Sequence, residues 1–253
     1  MKKFMLVLTA LALISVAASA QRSSTAREDI RQPGATLPAG IPGSCSPCLW
    51  YSGDTDPSST WDADWNGNTV GVGYSNQVWV PFVAAPDSSN PLHKHVLITS
   101  VTFNEVANTP STSPPADFAG MSYAFRTGVF AGNGGLLGKH GGCFTTTVTY
   151  TGVSPFGYNE YSFTCYFNPA ALPKVAVGTL GWVNVLPKFN ANTIAYLDEV
   201  QDNPAPNQFG WSDDYYNSFL NGLMGFTEVF SPATSTDIHF GEFSVAIAGN
   251  YTT

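Results

Sequence analysis

An acidic motif, DADWNG, is the first candidate for chemistry because oxygen-bearing side chains recur in it at every second position. Asp62, Asp64 and Asn66 alternate as in the opening half of a calcium-binding loop, and Gly67 follows where such loops turn sharply. The carboxylate that completes such a loop would fall at Gly73, so the second half is missing. The motif predicts calcium as a structural ion at Asp62, Asp64 and Asn66, with a polar turn as the alternative.

A second candidate is an aromatic segment that contains two carboxylates. Trp211, Tyr215 and Tyr216 lie next to Asp213 and Asp214. Exposed rings beside carboxylates suit sugar binding, because rings stack on the apolar face of a sugar while acids accept its hydroxyl hydrogen bonds. Aromatic rings also bury large apolar areas in cores. The segment therefore predicts a glycan site or, alternatively, a packed end of the fold.

Glutamates in strand-like runs are the candidates for catalysis, namely Glu105, Glu160, Glu228 and Glu242. Glycosidases use two carboxyl groups about 5–10 Å apart, and sandwich enzymes carry them on one sheet face. The chain has no nucleophile elbow, zinc-protease motif or P-loop. A carbohydrate-active enzyme thus requires two of these glutamates to face each other across a groove.

The first 20 residues have the pattern of an export signal. Lys2 and Lys3 are followed by an apolar run at 4–16 and by the small residues 18–20. We therefore predict cleavage near Gln21 and a secreted, periplasmic or extracellular location. No second run reaches the roughly 18 apolar residues of a spanning helix, so no membrane span is expected in the mature chain.

Charge excludes some classes of partner. The net charge is −8, with 18 acidic and 10 basic residues, which argues against nucleic acid and anionic membranes. Charged residues make up only 11% of the chain, compared with roughly 25% in average globular proteins. The polar surface must therefore come from Ser, Thr, Asn and Gly.

Four cysteines in an exported chain predict two disulfides. Cys143 and Cys165 flank two strand-like runs joined by a turn, so they could pair across a hairpin, and Cys45 and Cys48 would close a small local loop. The alternative for Cys45 and Cys48 is a redox motif. Such a motif needs a helix N-terminus to lower the thiol pKa, whereas the flanking sequence is typical of extended chain.

Runs of β-branched and aromatic residues recur with Gly, Pro, Asn, Asp and Ser between them, most clearly at 95–106 and 144–151. No helical period extends beyond about three turns. The pattern predicts an all-β fold, a two-sheet antiparallel β-sandwich that is jelly-roll-like and has about ten strands. Residues 21–44 are polar and aperiodic, which predicts a disordered leader before a single domain at 45–253.

Three fragments together carry a family resemblance: LWYSGD at 49–54, FRTGVFAGNGG at 125–135 and FGEFSVAIAG at 240–249. The chain resembles an uncharacterised family of exported bacterial β-sandwich proteins with a jelly-roll-like domain. The resemblance covers about 45 to 250, and its motifs are turn and strand signals. It implies fold and export, and it assigns no catalytic residues.

These observations predict an exported, non-catalytic β-sandwich protein that acts as an extracellular binding module for a glycan or cell-surface ligand. No cofactor is required, and calcium is the candidate structural ion. A jelly-roll carbohydrate-active enzyme and a structural envelope or matrix protein are the alternatives.

Overall fold

The computed structural model describes residues 48–51, 63–69, 74–84, 86–87, 89–129, 133–153, 157–191, 193–198, 215–218, 226–228 and 243–253. Within these ranges the chain forms fifteen β-strands and one short 3-10 turn at Pro169–Ala171. The strands are β1 (Cys48–Tyr51), β2 (Ala63–Trp65), β3 (Gly67–Thr69), β4 (Tyr74–Val83), β5 (His95–Ala107), β6 (Phe118–Thr127), β7 (Leu136–Gly142), β8 (Thr145–Val153), β9 (Asn159–Tyr166), β10 (Lys174–Ala176), β11 (Leu180–Phe189), β12 (Ala195–Asp198), β13 (Tyr215–Ser218), β14 (Phe226–Glu228) and β15 (Val245–Thr252).

The strands form two sheets. Sheet A has eight strands in the order β1-β15-β5-β12-β2, with β9 and β10 also pairing with β5 and β8 pairing with β9. Sheet B has seven strands in the order β14-β13-β4-β3-β11-β6-β7. Pairing is antiparallel except between β3 and β11. The predicted two-sheet antiparallel sandwich is confirmed, and strands exceed the predicted ten because three-residue strands are too short to show alternation.

The core lies between the two sheets. Strand β5 contributes alternate buried side chains such as Val101 and Phe103, and β11 contributes Val183 from the other sheet. Phe163 on β9 lies 6.0 Å from Phe118 on β6, measured between ring centroids. Aromatic contacts of this kind join sheet A to sheet B and bury large apolar areas.

One crossing between the sheets occurs at Cys143, between β7 of sheet B and β8 of sheet A. The Cys143 N–H donates to the Met121 carbonyl in sheet B at 3.1 Å, and the Phe144 N–H donates to the Tyr166 carbonyl in sheet A at 2.9 Å. A disulfide then joins Cys143 to Cys165 of β9, with a Cα–Cα distance of 5.3 Å. The predicted Cys143–Cys165 pair is confirmed, and it fixes the place where the chain changes sheets.

The predicted signal peptide, leader and Cys45 lie outside the described residues, and only the backbone of Cys48 is described. The pairing of Cys45 with Cys48 therefore stays a prediction.

The glycine-rich turn after β6 is held by Arg126. Its Nη1 donates to the Gly134 carbonyl at 2.9 Å, and its guanidinium lies 4.9 Å from the centre of the Trp79 ring. Gly135 has φ +59°, and a Cβ there would overlap the Thr127 carbonyl oxygen. The turn thus requires glycine at 135, which explains this part of the mid-chain motif.

Replacing both Cys143 and Cys165 with alanine should lower the free energy of unfolding by about 3 kcal/mol, because the bond closes a segment of 22 residues. Urea unfolding at neutral pH measures the change. Adding reductant to the double variant serves as the control, since it reports on the other cysteines alone. A loss below about 1 kcal/mol would contradict a structural role for this bridge.

Candidate functional site

The acidic motif lies where the chain crosses from sheet A to sheet B. Asp64 belongs to β2, which pairs with β12 in sheet A, and Gly67 begins β3, which pairs with β4 in sheet B. Asn66 lies between them and is completely buried. Its N–H donates to the Ala195 carbonyl of β12 at 3.0 Å. The motif is therefore a corner of the sandwich.

The side chain of Asn66 bonds to both sheets. Its Nδ2 donates to Glu105 Oε1 at 2.8 Å and to the Val185 carbonyl at 2.7 Å. Its Oδ1 accepts from the Val78 N–H at 3.1 Å and from Asn184 Nδ2 at 2.9 Å. An amide has two donor and two acceptor positions, and all four are used here. With its oxygen occupied by two protein donors, Asn66 does not have the predicted role of calcium ligand.

The remaining calcium ligands are not located by the structure. Asp62 lies outside the described residues, and only the backbone of Asp64 is described. Among the described residues there is no group of three or more His, Cys, Asp or Glu side chains that could hold a metal ion. Calcium at Asp62 and Asp64 stays a prediction, now without its third ligand.

Glu105 is the buried acid of this network. Its side chain has no exposed surface, and Oε2 has no hydrogen-bond partner among the described residues. Burial raises the pKa of the carboxyl group far above that of an ordinary glutamate, and the bond from Asn66 opposes this only in part. Burial therefore favours the protonated form of Glu105, which accepts a hydrogen bond from the corner residue.

The strand glutamates do not form a catalytic pair within the described chain. The register places Glu105 opposite Tyr161, which is the neighbour of Glu160 on β9. Adjacent strand positions face opposite sides of a sheet, so Glu105 faces the core and Glu160 the outer face. Only the backbone of Glu228 is described, and Glu242 lies outside the described residues.

Two members of the predicted aromatic site, Tyr215 and Tyr216, lie on β13. Strand β13 pairs with β4 so that Tyr215 lies opposite Trp79 and Tyr216 opposite Val78. Only the backbone of these two tyrosines is described, so their part in a glycan site stays a prediction. Three further members of the predicted site lie outside the described residues: Trp211, Asp213 and Asp214.

The outer face of sheet A carries a site that no motif indicated, which we name the hydroxyl face. Strands β5, β9 and β8 lie side by side, and each contributes three uncharged polar side chains at matching register positions. The nine residues are Ser100, Thr102 and Asn104 on β5, Ser162, Thr164 and Tyr166 on β9, and Thr145, Thr147 and Thr149 on β8. Eight bear hydroxyl groups and one bears an amide.

Hydrogen bonds across the strands order this face. Thr102 and Thr164 bond through their hydroxyl oxygens at 2.9 Å, and Ser162 Oγ donates to Asn104 Oδ1 at 2.6 Å. Asn104 is buried, whereas Thr145, Thr147 and Thr149 on β8 are exposed. Strand geometry gives the face a period of about 4.8 Å across the strands and about 6.8 Å along them. The face is thus a regular array of donors and acceptors that becomes accessible toward β8.

Tyr166 lies at one end of the hydroxyl face, and Phe144 precedes β8 at the same end. Tyr166 is 40% exposed and Phe144 is 64% exposed. The bond from the Phe144 N–H to the Tyr166 carbonyl keeps their backbones adjacent. Rings beside hydroxyl groups offer an apolar contact and a polar one within the same surface.

The sequence contained part of the signal for this face. Threonine at every second position of 144–151 identifies a strand with one polar side. The width of the face depends on the register between β8, β9 and β5. This register cannot be predicted from the residue pattern of one strand.

Asn66→Ala should lower the free energy of unfolding by about 3 kcal/mol or more, because it removes a hydrogen bond from four buried groups at about 1–3 kcal/mol each. These groups are Glu105 Oε1, the Val185 carbonyl, the Val78 N–H and one N–H of the Asn184 amide. Asn190→Ala, at an exposed position, is the control and should change stability by less than about 0.5 kcal/mol. Equal effects of the two substitutions in chemical unfolding would refute the role of Asn66.

Stability should fall as pH rises above 4.5, because buried Glu105 and Glu160 hold their protons more tightly when folded. Burial raises the pKa of Glu160 to about 7, so Glu160 contributes to the loss of stability only up to about that pH. The contribution of Glu105 to this loss extends to higher pH. Hydrogen bonds from Ser89 and His93 lower the pKa of Asp87 to about 2, so its stabilisation is lost below pH 3.8.

Urea midpoints between pH 3 and pH 8 test this expectation. The Glu105→Gln, Glu160→Gln double variant should show a flatter profile above pH 4.5, since neither amide titrates. Asp87→Asn should change only the acidic side. A wild-type protein that becomes more stable from pH 5 to pH 8 would contradict the assignment.

Function must be inferred from the chemistry of the described residues. None of these residues belongs to a helix long and apolar enough to cross a membrane. Comparison of the chain with family models, curated proteins and solved structures gave no match.

Proposed function

We propose that this protein is an extracellular, non-catalytic module that binds neutral glycans through the hydroxyl face. The observation that carries the proposal is the array of nine uncharged polar side chains in register on three adjacent strands. Sugars present closely spaced hydroxyl groups that both donate and accept, and so do serine and threonine. The face and a neutral sugar polymer therefore have matching chemistry.

Charge supports a neutral ligand over an anionic one. The nine positions of the hydroxyl face hold no ionised group, and the chain as a whole has a net charge of −8. An anionic polymer would be repelled by the overall field and would find no cation at the face. A neutral polymer loses little in desolvation, because each hydroxyl group exchanges water for an equivalent partner.

Shape supports an extended ligand. The face is part of a β-sheet surface, and its three rows span about 14 Å along the strands. Such a length suits several units of an extended sugar chain. Tyr166, at one end, offers an exposed ring against which the apolar face of one sugar unit stacks.

Two further observations support an exported, non-catalytic role. The Cys143–Cys165 bond suits an oxidising compartment outside the cytoplasm. Glu105 and Glu160 lie on opposite faces of sheet A, so they do not flank a common scissile bond. Calcium at Asp62 and Asp64 is part of the proposal as a structural ion only.

Tyr166→Ala and Thr147→Glu should each weaken binding to neutral polysaccharides by about tenfold, which equals about 1.4 kcal/mol. The first removes the stacking ring, and the second places a charge at the middle position of the exposed β8 row of the hydroxyl face. Thr127→Glu is the matched control because Thr127 is an exposed strand threonine on sheet B. Co-sedimentation with insoluble cellulose, chitin and β-glucan measures the affinity, with an anionic polymer as a second comparison.

The proposal is refuted if the wild-type protein binds none of the neutral polymers, or if Thr147→Glu binds as well as Thr127→Glu. Repeating the assay with a chelator separates the calcium component. Binding that survives chelation supports the hydroxyl face as the site, with any calcium outside it.

A further inference from the structure

Glu160 continues the β9 row of the hydroxyl face, two positions before Ser162 on the same side of the sheet. Its register neighbours are Val106 on β5 and Gly152 on β8, and neither has a side chain that forms hydrogen bonds. Glu160 is only 3% exposed, and its Oε1 has no hydrogen-bond partner among the described residues. Buried polar groups in proteins almost always have a partner, so this carboxyl group requires an explanation.

A second buried polar atom without a partner lies at the same end of β8 and β9. Thr151 Oγ1 has no hydrogen-bond partner within the described part of the chain. Thr151 lies where the register of β8 shifts between Tyr150 and Gly152, so the irregularity falls directly at the position opposite Glu160. Irregularities of this kind are frequent beside functional sites. The strand pair therefore ends in two polar groups whose hydrogen-bonding capacity the described chain does not use.

Two tyrosine rings lie near Glu160 on the outer face of sheet A. Tyr196 of β12 is opposite Val106 in the register, and Val106 is opposite Glu160. Tyr158 directly precedes β9, and its ring centroid lies 6.3 Å from that of Tyr196. Both tyrosines are partly exposed. This end of the face thus combines rings, which stack on the apolar side of a sugar, with a carboxyl group, which accepts hydrogen bonds from its hydroxyl groups.

The described residues that surround Glu160 on this face carry no charge. They are Asn104 and Val106 on β5, Thr149 and Gly152 on β8, Tyr158 and Ser162 beside it along the chain, and Tyr196 on β12. Burial, with no nearby charge to oppose it, raises the pKa of Glu160 to about 7. Hydroxyl groups that donate to the carboxylate favour its ionised form, so a ligand bound in this way binds more tightly as pH rises.

We propose that Glu160, Tyr158 and Tyr196 form a terminal subsite of the hydroxyl face, in which the Glu160 carboxylate accepts hydrogen bonds from a sugar unit that packs against the two rings. The inference rests on the proposed glycan binding and names the residues that hold one end of the ligand. Tyr166 lies six residues from Glu160 along β9, which is about 20 Å in a strand. The two ends of the face therefore contact different sugar units, and a ligand of several units is required to reach both.

Isothermal titration calorimetry with cellohexaose, chitohexaose and laminarihexaose at pH 5.5 and pH 8 tests the subsite. The wild-type protein should bind at least one hexasaccharide about fivefold more tightly at pH 8, because the ligand favours the ionised form of Glu160. Glu160→Gln should bind that ligand about tenfold more weakly than the wild type at pH 8, and equally at both pH values. Asp87→Asn is the matched control, because it removes a carboxyl group with a pKa of about 2 that precedes β5, at the opposite end of that strand from Val106. It should keep the wild-type pH dependence.

Near-ultraviolet circular dichroism establishes that each variant is folded. If Glu160→Gln does not fold, Tyr158→Ala provides a second test by removing one ring, and it should weaken binding about tenfold at pH 8. Wild-type affinity that is equal at the two pH values, or a Glu160→Gln variant that keeps the wild-type affinity and pH dependence, would overturn the subsite and leave glycan binding by the hydroxyl face intact. A wild-type protein that binds no hexasaccharide would also overturn the subsite, whereas co-sedimentation with the insoluble polymers decides the proposed function separately.

Discussion

The hydrogen bonds of Asn66 are the constraint on which the two-sheet arrangement depends. Direct pairing of β4 with β11 ends at Val183, and side-chain amides replace it beyond that point. Asn66 Oδ1 accepts from the Val78 N–H, and Asn184 Nδ2 donates to the Val78 carbonyl. Asn66 Nδ2 also donates to the Val185 carbonyl. Buried backbone groups without partners cost about 1–3 kcal/mol each. An apolar residue at position 66 would fill the space but would leave these groups unpaired, so the corner requires an amide.

At Cys143 the chain also crosses between the two sheets, and there different bonds connect it to each sheet. There the backbone itself bonds to both sheets, and a covalent bond to Cys165 holds the chain against β9. The bond fixes the start of β8, and β8 then pairs with β9 through the whole length of the hairpin. Because β9 also pairs with β5, the register of three strands is set in sequence. The hydroxyl face exists only because this register brings its three polar rows together.

Features of this fold with a local pattern in the sequence could be predicted, whereas features that depend on distant contacts could not. Alternation in the strands at 95–107 and 145–153 identified them, because one buried face imposes a period of two on a single segment. Pairing of Cys143 with Cys165 followed from two adjacent strands and a turn. Asn66 was assigned to a calcium loop because Asp and Asn at alternate positions suit that motif, whereas its burial depends on residues 39 to 119 positions away. The hydroxyl face was not predicted for a similar reason, since it combines side chains from three strands.

Uncharged polar groups connect the interior of this protein to its surface. Asn104 is buried and bonds to Ser244 Oγ at 2.6 Å on one side and to Ser162 on the other. The same row continues to Thr149, which is exposed on β8. Side chains held in such a row lose little conformational freedom when a ligand binds, so less of the interaction energy is spent on ordering them. A charged row would not extend inward in this way, because buried ions require paired charges or a large shift in pKa. An uncharged row can therefore run without interruption from the buried Asn104 to the exposed Thr149.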